Sequence, residues 1–165
     1  MKRLKFFWRY LSNKNPKIGK KESTPFHFVA YYGLSDVADF MLEELQSTED
    51  CYPTNDSDKT PLHYACINGH ADIIKSLRRK IDFEFINPIY FKESLYTAIK
   101  YGHLECVKAL LEKQTSNFRK NISNMIMYRD LNLIDIAKDF CSKTNYHYHY
   151  KIVKYLSYLV SLSTW

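Results

Sequence analysis

The side chains of this sequence best suited to chemistry are histidines and carboxylates, and their spacing limits what they can do. His147 and His149 stand in the tract Tyr146-His147-Tyr148-His149-Tyr150. Two imidazoles so close suggest a metal tract, but without a neighbouring cysteine or carboxylate they make an incomplete ligand set. Asp135 and Asp139 lie one helical turn apart and are spaced to pair as carboxylates on one helix face. His27 and His63 each close a Thr-Pro-x-His phrase, Thr24-Pro25-Phe26-His27 and Thr60-Pro61-Leu62-His63. Cys51, Cys66, Cys106 and Cys141 are scattered and form no Cys-x-x-Cys pair. No serine, cysteine or lysine sits in a nucleophile motif, and no glycine-rich phosphate loop occurs. The residues therefore predict a protein that is not an enzyme and holds neither a cofactor nor a metal.

The elements that carry these side chains are set by repetition. The two phrases are 36 residues apart, and a worn third copy follows 33 residues later, with Leu95, Ala98, Gly102 and His103 at the offsets of Leu62, Ala65, Gly69 and His70. A period in this range marks a stack of like units. In the clearest copy, Thr60 caps a helix, Pro61 suits its first position, and Leu62 and Ala65 face inward. Gly69 then supplies the left-handed residue that ends it. Ile73, Ile74 and Leu77 give a second helix its apolar face, as do Val37, Phe40 and Met41 in copy one and Leu104, Val107, Leu110 and Leu111 in copy three. Cys66 and Cys106 occupy small, buried positions, which suits free thiols and a reducing compartment. Neither helix of a pair buries its face alone, so neighbouring pairs must stack into one folded unit.

The Thr-Pro-x-His phrases, the alanine positions and the Gly-His turns at Gly69-His70 and Gly102-His103 resemble the ankyrin repeat over roughly residues 22 to 113. The resemblance implies an all-α ankyrin-repeat solenoid of stacked antiparallel helix pairs. Its repeats fall at about 22–57, 58–90, 91–127 and 128–163, within a domain of residues 22–165. The fourth copy is degenerate: Leu133-Ile134-Asp135-Ile136-Ala137 resembles the variant with Asp in place of the motif histidine. Its second helix, Ile152-Val153-Lys154-Tyr155-Leu156, aligns with Ile73-Ile74-Lys75-Ser76-Leu77 if about seven residues, Ser142 to Tyr148, are extra. By the same resemblance His27 and His63 brace neighbouring repeats, Tyr96 replaces the third histidine, and Asp135 helps hold its own turn together. The glycine that usually closes each repeat is missing near Arg78-Arg79-Lys80 and Glu112-Lys113-Gln114. The long stretch from Thr115 to Asp130 has room for an extra helical turn through Ile122, Met125 and Ile126.

A protein partner on the concave inner face is the function the resemblance implies. The two residues before each turn glycine are Tyr31-Tyr32, Ile67-Asn68 and Lys100-Tyr101, and the hairpin fingers add Ser57, Lys59, Ile89, Tyr90 and Lys92. Tyrosine brings contact area with little rotamer entropy. The competing expectation is that Tyr31 and Tyr101 simply cover neighbouring structure.

Charge supplies a second hypothesis. The net charge of +6 divides into +8 over residues 2–21, which hold no acid, and −2 over the rest. Leu4, Phe7, Trp8 and Leu11 recur at i, i+3, i+4 and i+7 with Lys2, Arg3, Lys5 and Arg9 around them, so residues 1–21 read as a basic amphipathic helix. One role for it is to bind an anionic membrane or, with weaker support because the basic residues do not continue across the repeats, nucleic acid. The other is to cap the open end of repeat one. No apolar run approaches the ~18 residues of a membrane span, and Phe6-Phe7-Trp8 is too short for a secretory core. A cytoplasmic monomer is expected. Abundant Lys, Asn, Ile and Tyr with few Gly and Pro suggests an AT-rich coding sequence. A small ankyrin protein of this composition resembles effectors that intracellular bacteria deliver into host cells, or viral host-range proteins, which implies a host protein as partner.

Overall fold

The computed structural model describes residues 23–44, 53–81, 86–112, 127–128, 131–144 and 147–163. The chain divides into two compact units, residues 1–86 and 87–165.

The first unit holds two helix pairs. Thr24 and Thr60 are extended, and each precedes a proline that opens a short helix: α1 (Pro25–Tyr32) and α3 (Pro61–Asn68). The motif histidine closes each start, because the Thr24 N–H donates to His27 Nδ1 at 3.0 Å and the Thr60 N–H to His63 Nδ1 at 3.0 Å. Gly33 (φ 69°) and Gly69 (φ 77°) end these helices in the left-handed region. The chain then turns into α2 (Ser35–Glu44) and α4 (Ala71–Lys80). The residue after each glycine ties the turn down, Leu34 N–H to the Val29 carbonyl at 3.1 Å and His70 N–H to the Ala65 carbonyl at 2.9 Å. Helix α1 packs on α3 and α2 on α4, burying Phe26, Ala30, Met41, Leu62, Cys66, Ile73, Ile74 and Leu77.

The second unit opens differently. Helix α5 runs Pro88–Lys100, 13 residues against 8 in α1 and α3. Asn87 supplies the cap that the lost Thr-Pro would have given, its Oδ1 accepting the Ile89 N–H at 2.9 Å, with Pro88 at the first helical position. Ile89, Tyr90 and Lys92 therefore belong to the first turns of a helix, and not to a hairpin finger as their place in the repeat predicts. Gly102 (φ 75°) repeats the glycine turn, with His103 N–H on the Ala98 carbonyl at 2.9 Å, and leads into α6 (Leu104–Leu111).

After a two-residue antiparallel ladder, β1 (Met127–Tyr128) with β2 (Leu131–Asn132), come α7 (Leu133–Thr144) and α8 (His147–Ser163). Helix α5 packs on α7 and α6 on α8, around Leu95, Ile99, Leu110, Leu133, Ile152 and Leu156. The extra residues of the fourth copy lengthen helices: Ser142 to Thr144 finish α7, and His147 and Tyr148 begin α8. Cys66 and Cys106 are fully buried, as their small positions predict.

Asp135 departs from its expected role. It is exposed on α7 and accepts from Lys138 Nζ at 2.8 Å, an ion pair between two solvent-facing side chains. The cap of α7 comes from Asn132, whose Oδ1 accepts the Ile134 N–H at 2.8 Å, so the acid three residues on has no turn to hold. Asp139, also exposed, pairs with Lys143 at 2.7 Å. The proposed extra helical turn at Ile122, Met125 and Ile126, the N-terminal residues Lys2, Arg3, Lys5 and Arg9, and Cys51 lie outside the described residues.

Candidate partner-binding turns

The turn at Gly33 is built from the next helix pair as much as from its own. His70, which begins α4, donates from Nε2 to the Tyr31 carbonyl at 3.0 Å. Its ring lies so close that a Cβ on Gly33 would meet it at 2.5 Å. Glycine is required there twice over, for its positive φ and for this approach. With the main chain fixed, Tyr31 and Tyr32 stand outward, and Tyr32 is 65% exposed. Their rings meet edge to face at 5.0 Å, and Tyr31 meets Tyr64 likewise at 6.0 Å. Ile67 and Asn68, at the corresponding place in copy two, are half-buried, and Asn68 turns back to donate to the Tyr64 carbonyl at 3.1 Å.

The finger that leads into α3 is organised by Asn55, a buried residue that the repeat pattern does not single out. Its Oδ1 accepts from the Ser57 and Lys59 N–H groups at 3.0 and 3.1 Å. Its Nδ2 donates to Ser23 Oγ at 3.1 Å and to the Tyr64 hydroxyl at 3.0 Å. Asp58 takes the left-handed position of this turn, at φ 52°. Ser57 is exposed at the tip, whereas Lys59 is half-buried and its carbonyl accepts from His27 Nε2 at 2.8 Å. That bond, with Nδ1 accepting from Thr24, fixes His27 as the neutral Nε2–H tautomer. Burial pushes the imidazole pKa below its ordinary value, against the raising effect of its bonds to backbone. His27 thus braces copy one against copy two, as the resemblance implies.

The second unit repeats the turn with a different histidine. His149 on α8 is buried, and its Nε2 reaches the Lys100 carbonyl at 3.3 Å, two residues before Gly102, just as His70 reaches Tyr31 two residues before Gly33. Phe140 lies against its ring at 5.6 Å. His149 is therefore the turn histidine of the fourth copy, and the described residues contain no group of three or more potential metal ligands. Around this turn Tyr101 is exposed, stacks on His103 at 6.3 Å and carries the Lys100 ammonium 5.5 Å from its ring centre. Tyr148 is 62% exposed, and its Cβ lies 3.4 Å from where a Gly102 Cβ would stand. Ile89 is exposed and Tyr90 and Lys92 are half-buried on α5. The sequence reading missed Tyr148, which it assigned to the spacer.

A separate open cleft of about 580 Å³ lies between α2 and α4, lined by Asp39, Leu42, Glu43, Ser76, Arg79 and Lys80. The Ser76 hydroxyl and the paired Arg79 guanidinium hold the Asp39 carboxyl below its ordinary pKa. The Asp39–Arg79 pair is solvent-facing, as suits a surface seam between two repeats. Among the described residues no helix is long and apolar enough to cross a membrane.

The family model for ankyrin repeats (3 copies) matches residues 2–87 and 26–124. The chain belongs to the ankyrin-repeat family, a helical solenoid class whose repeats are generally protein–protein interaction modules and typically non-catalytic. No curated protein matches the chain.

Proposed function

We propose that this chain binds a partner protein through the tyrosine-bearing turns of its repeats and performs no catalysis. The observation that carries this reading is the pairing of a fixed main chain with exposed aromatic side chains. At Gly33 and at Gly102 a histidine pins the turn carbonyl, while Tyr31, Tyr32, Tyr101 and Tyr148 face outward. Side chains already held in place lose little freedom on binding, so their apolar area converts efficiently into affinity. Lys100 beside Tyr101 adds a cation that favours a carboxylate on the partner. Ser57 at the finger tip and Ile67, Asn68, Ile89, Tyr90 and Lys92 extend the surface within their own units. The lysine-, asparagine-, isoleucine- and tyrosine-rich composition supports a host protein as the partner and the cytoplasm of a host cell as the place of action.

The test is retention of proteins from a cytosolic lysate by the purified chain and by its Tyr32→Ala/Tyr101→Ala variant, identified by mass spectrometry. A partner held by the parent and lost from the variant, with helical circular dichroism unchanged, is the expected result. Equal retention by both baits overturns this placement of the surface. Retention of lipid or nucleic acid alone would instead make the chain an adaptor working through its basic N-terminal segment.

A further inference from the structure

Helix α8 turns a basic and aromatic face to solvent. Its sequence includes Lys151, Lys154 and four tyrosines but no Asp or Glu. Tyr148, Tyr150, Lys151, Lys154 and Tyr158 are exposed, while His149, Ile152 and Leu156 are buried on the opposite side. In α6 and α7 every lysine meets an acid one turn away: Lys108 with Glu105 at 2.7 Å, Lys138 with Asp135 at 2.8 Å and Lys143 with Asp139 at 2.7 Å. Lys100, Lys151 and Lys154 are exposed too, and pair with no acid among the described residues. The Lys154 ammonium lies instead 5.1 Å from the Tyr150 ring centre, just as Lys100 lies over Tyr101. The two patches join at the Gly102 turn, where Tyr148 Cβ is 3.4 Å from the place of a Gly102 Cβ.

We propose that the partner bound at the Gly102 turn is an acidic protein segment, which runs from Lys100 and Tyr101 along the outer face of α8 past Tyr148, Lys151, Lys154 and Tyr158. The inference rests on the binding role given above to that turn and names the chemistry it recognises. Ammonium groups without a carboxylate attract one, and α8 carries no acid to repel it. Acids on the partner give these lysines the pairing that Lys108, Lys138 and Lys143 already have within the chain. The rings favour a peptide over nucleic acid. Single strands are gripped by stacking bases on open ring faces. Here Tyr150 has His147 stacked at 6.3 Å one turn before it and Lys154 one turn after, and Tyr101 is covered by His103 and Lys100. That leaves ring edges and hydroxyls, which donate to carboxylates.

The test is selection of phage-displayed random dodecapeptides on the full chain, with the affinity of recovered peptides then measured by fluorescence anisotropy. The expected peptides are enriched in Asp and Glu, and their binding weakens as NaCl is raised. Lys151→Glu/Lys154→Glu, at exposed sites, is expected to weaken them at least about tenfold with helical circular dichroism unchanged. Lys151→Gln/Lys154→Gln, which removes charge without reversing it, loses less, and peptides rewritten with Lys for Glu regain affinity for the charge-reversed chain. Peptides with no acidic excess, or acidic peptides indifferent to the lysine substitutions, overturn the inference. If those peptides are nonetheless lost with Tyr32→Ala/Tyr101→Ala, the tyrosine-turn reading stands without it; recovery of no peptide that either set of substitutions weakens removes both. Tighter binding of an oligothymidine or of phosphatidylserine vesicles through the same lysines overturns it in favour of nucleic acid or a membrane.

Discussion

The turns at Gly33 and Gly102 solve one problem with different tolerances. In the first unit His70 lies 3.0 Å from the Tyr31 carbonyl and fills the space a side chain on Gly33 would need; in the second His149 lies 3.3 Å from the Lys100 carbonyl and leaves contact distances of 3.4–3.5 Å at Gly102. The first histidine begins a helix immediately after a glycine, whereas the second is the third residue of a long helix entered without one. The interaction that holds a turn is thus kept when the local chain path changes, because a histidine ring can span to the same carbonyl from either start. Each turn positions tyrosines, but the one at Gly33 is locked by close packing and the one at Gly102 by burial of the histidine.

The largest difference between the units follows from His27. Its ring satisfies the Thr24 N–H and the Lys59 carbonyl inside the first unit, whereas copy three has Tyr96 at that place. His27→Ala is expected to cost about 2–3 kcal/mol in urea unfolding, since one buried and one half-buried backbone group lose their partners. The same histidine gives the first unit an acid sensitivity. Its folded pKa lies below the ordinary value, so the unfolded chain takes up a proton first as pH falls through about 6.5. The stability it contributes is complete above that pH and declines below it, toward the lowered folded pKa. Hydrogen-exchange protection factors should therefore fall between pH 7 and pH 5 more for α1 and α3 than for α5 and α7, and His27→Gln should reduce that difference. Equal loss in both units would remove His27 as its source.

A smaller contrast separates the two glycines. Gly33→Ala and Gly102→Ala each incur left-handed strain of about 1 kcal/mol. Gly33→Ala also drives Cβ into the His70 ring, which adds about 1–2 kcal/mol for displaced packing and a broken turn bond. Chemical denaturation of the two variants should rank Gly33→Ala clearly worse, and the reverse order would show that the second turn is the tighter one. The smallest expected effect is at Asp135, whose exposed pair with Lys138 predicts a change below about 0.5 kcal/mol for Asp135→Ala. His63→Ala, one repeat position equivalent in the first unit, should cost several times more, since His63 is buried and accepts from the Thr60 N–H.

Much of this fold is legible in the sequence. Thr-Pro at a helix start and glycine at its end are local rules, satisfied by atoms within a few residues, so α1, α3 and their turns followed from the chain itself. Offsets carried further than composition did. The alignment of Ile152 to Leu156 with Ile73 to Leu77 also sets His149 opposite His70, which is the signal in the sequence that His149 holds a turn. Asn87-Pro88 obeys the same start rule as Thr60-Pro61, yet the repeat pattern placed Ile89, Tyr90 and Lys92 in a finger, because a motif read by identity hides a cap of another type. Asp135 misled for the opposite reason: it stands in the motif position, but with Asn132 already capping α7 its carboxylate is more stable solvated beside Lys138.

The sequence by itself determined the repeat, its helix pairs and its small buried positions, since these rest on short-range backbone chemistry and on a period that survives substitution. Only the tertiary structure decided which residues the stacking leaves outside. Tyr32 and Tyr101 share the face pattern of their neighbours, Asn55 looks like any loop asparagine, and Val37 reads in sequence as core. Their exposure or burial depends on what is packed against each helix pair, a property of the neighbour and not of the residue.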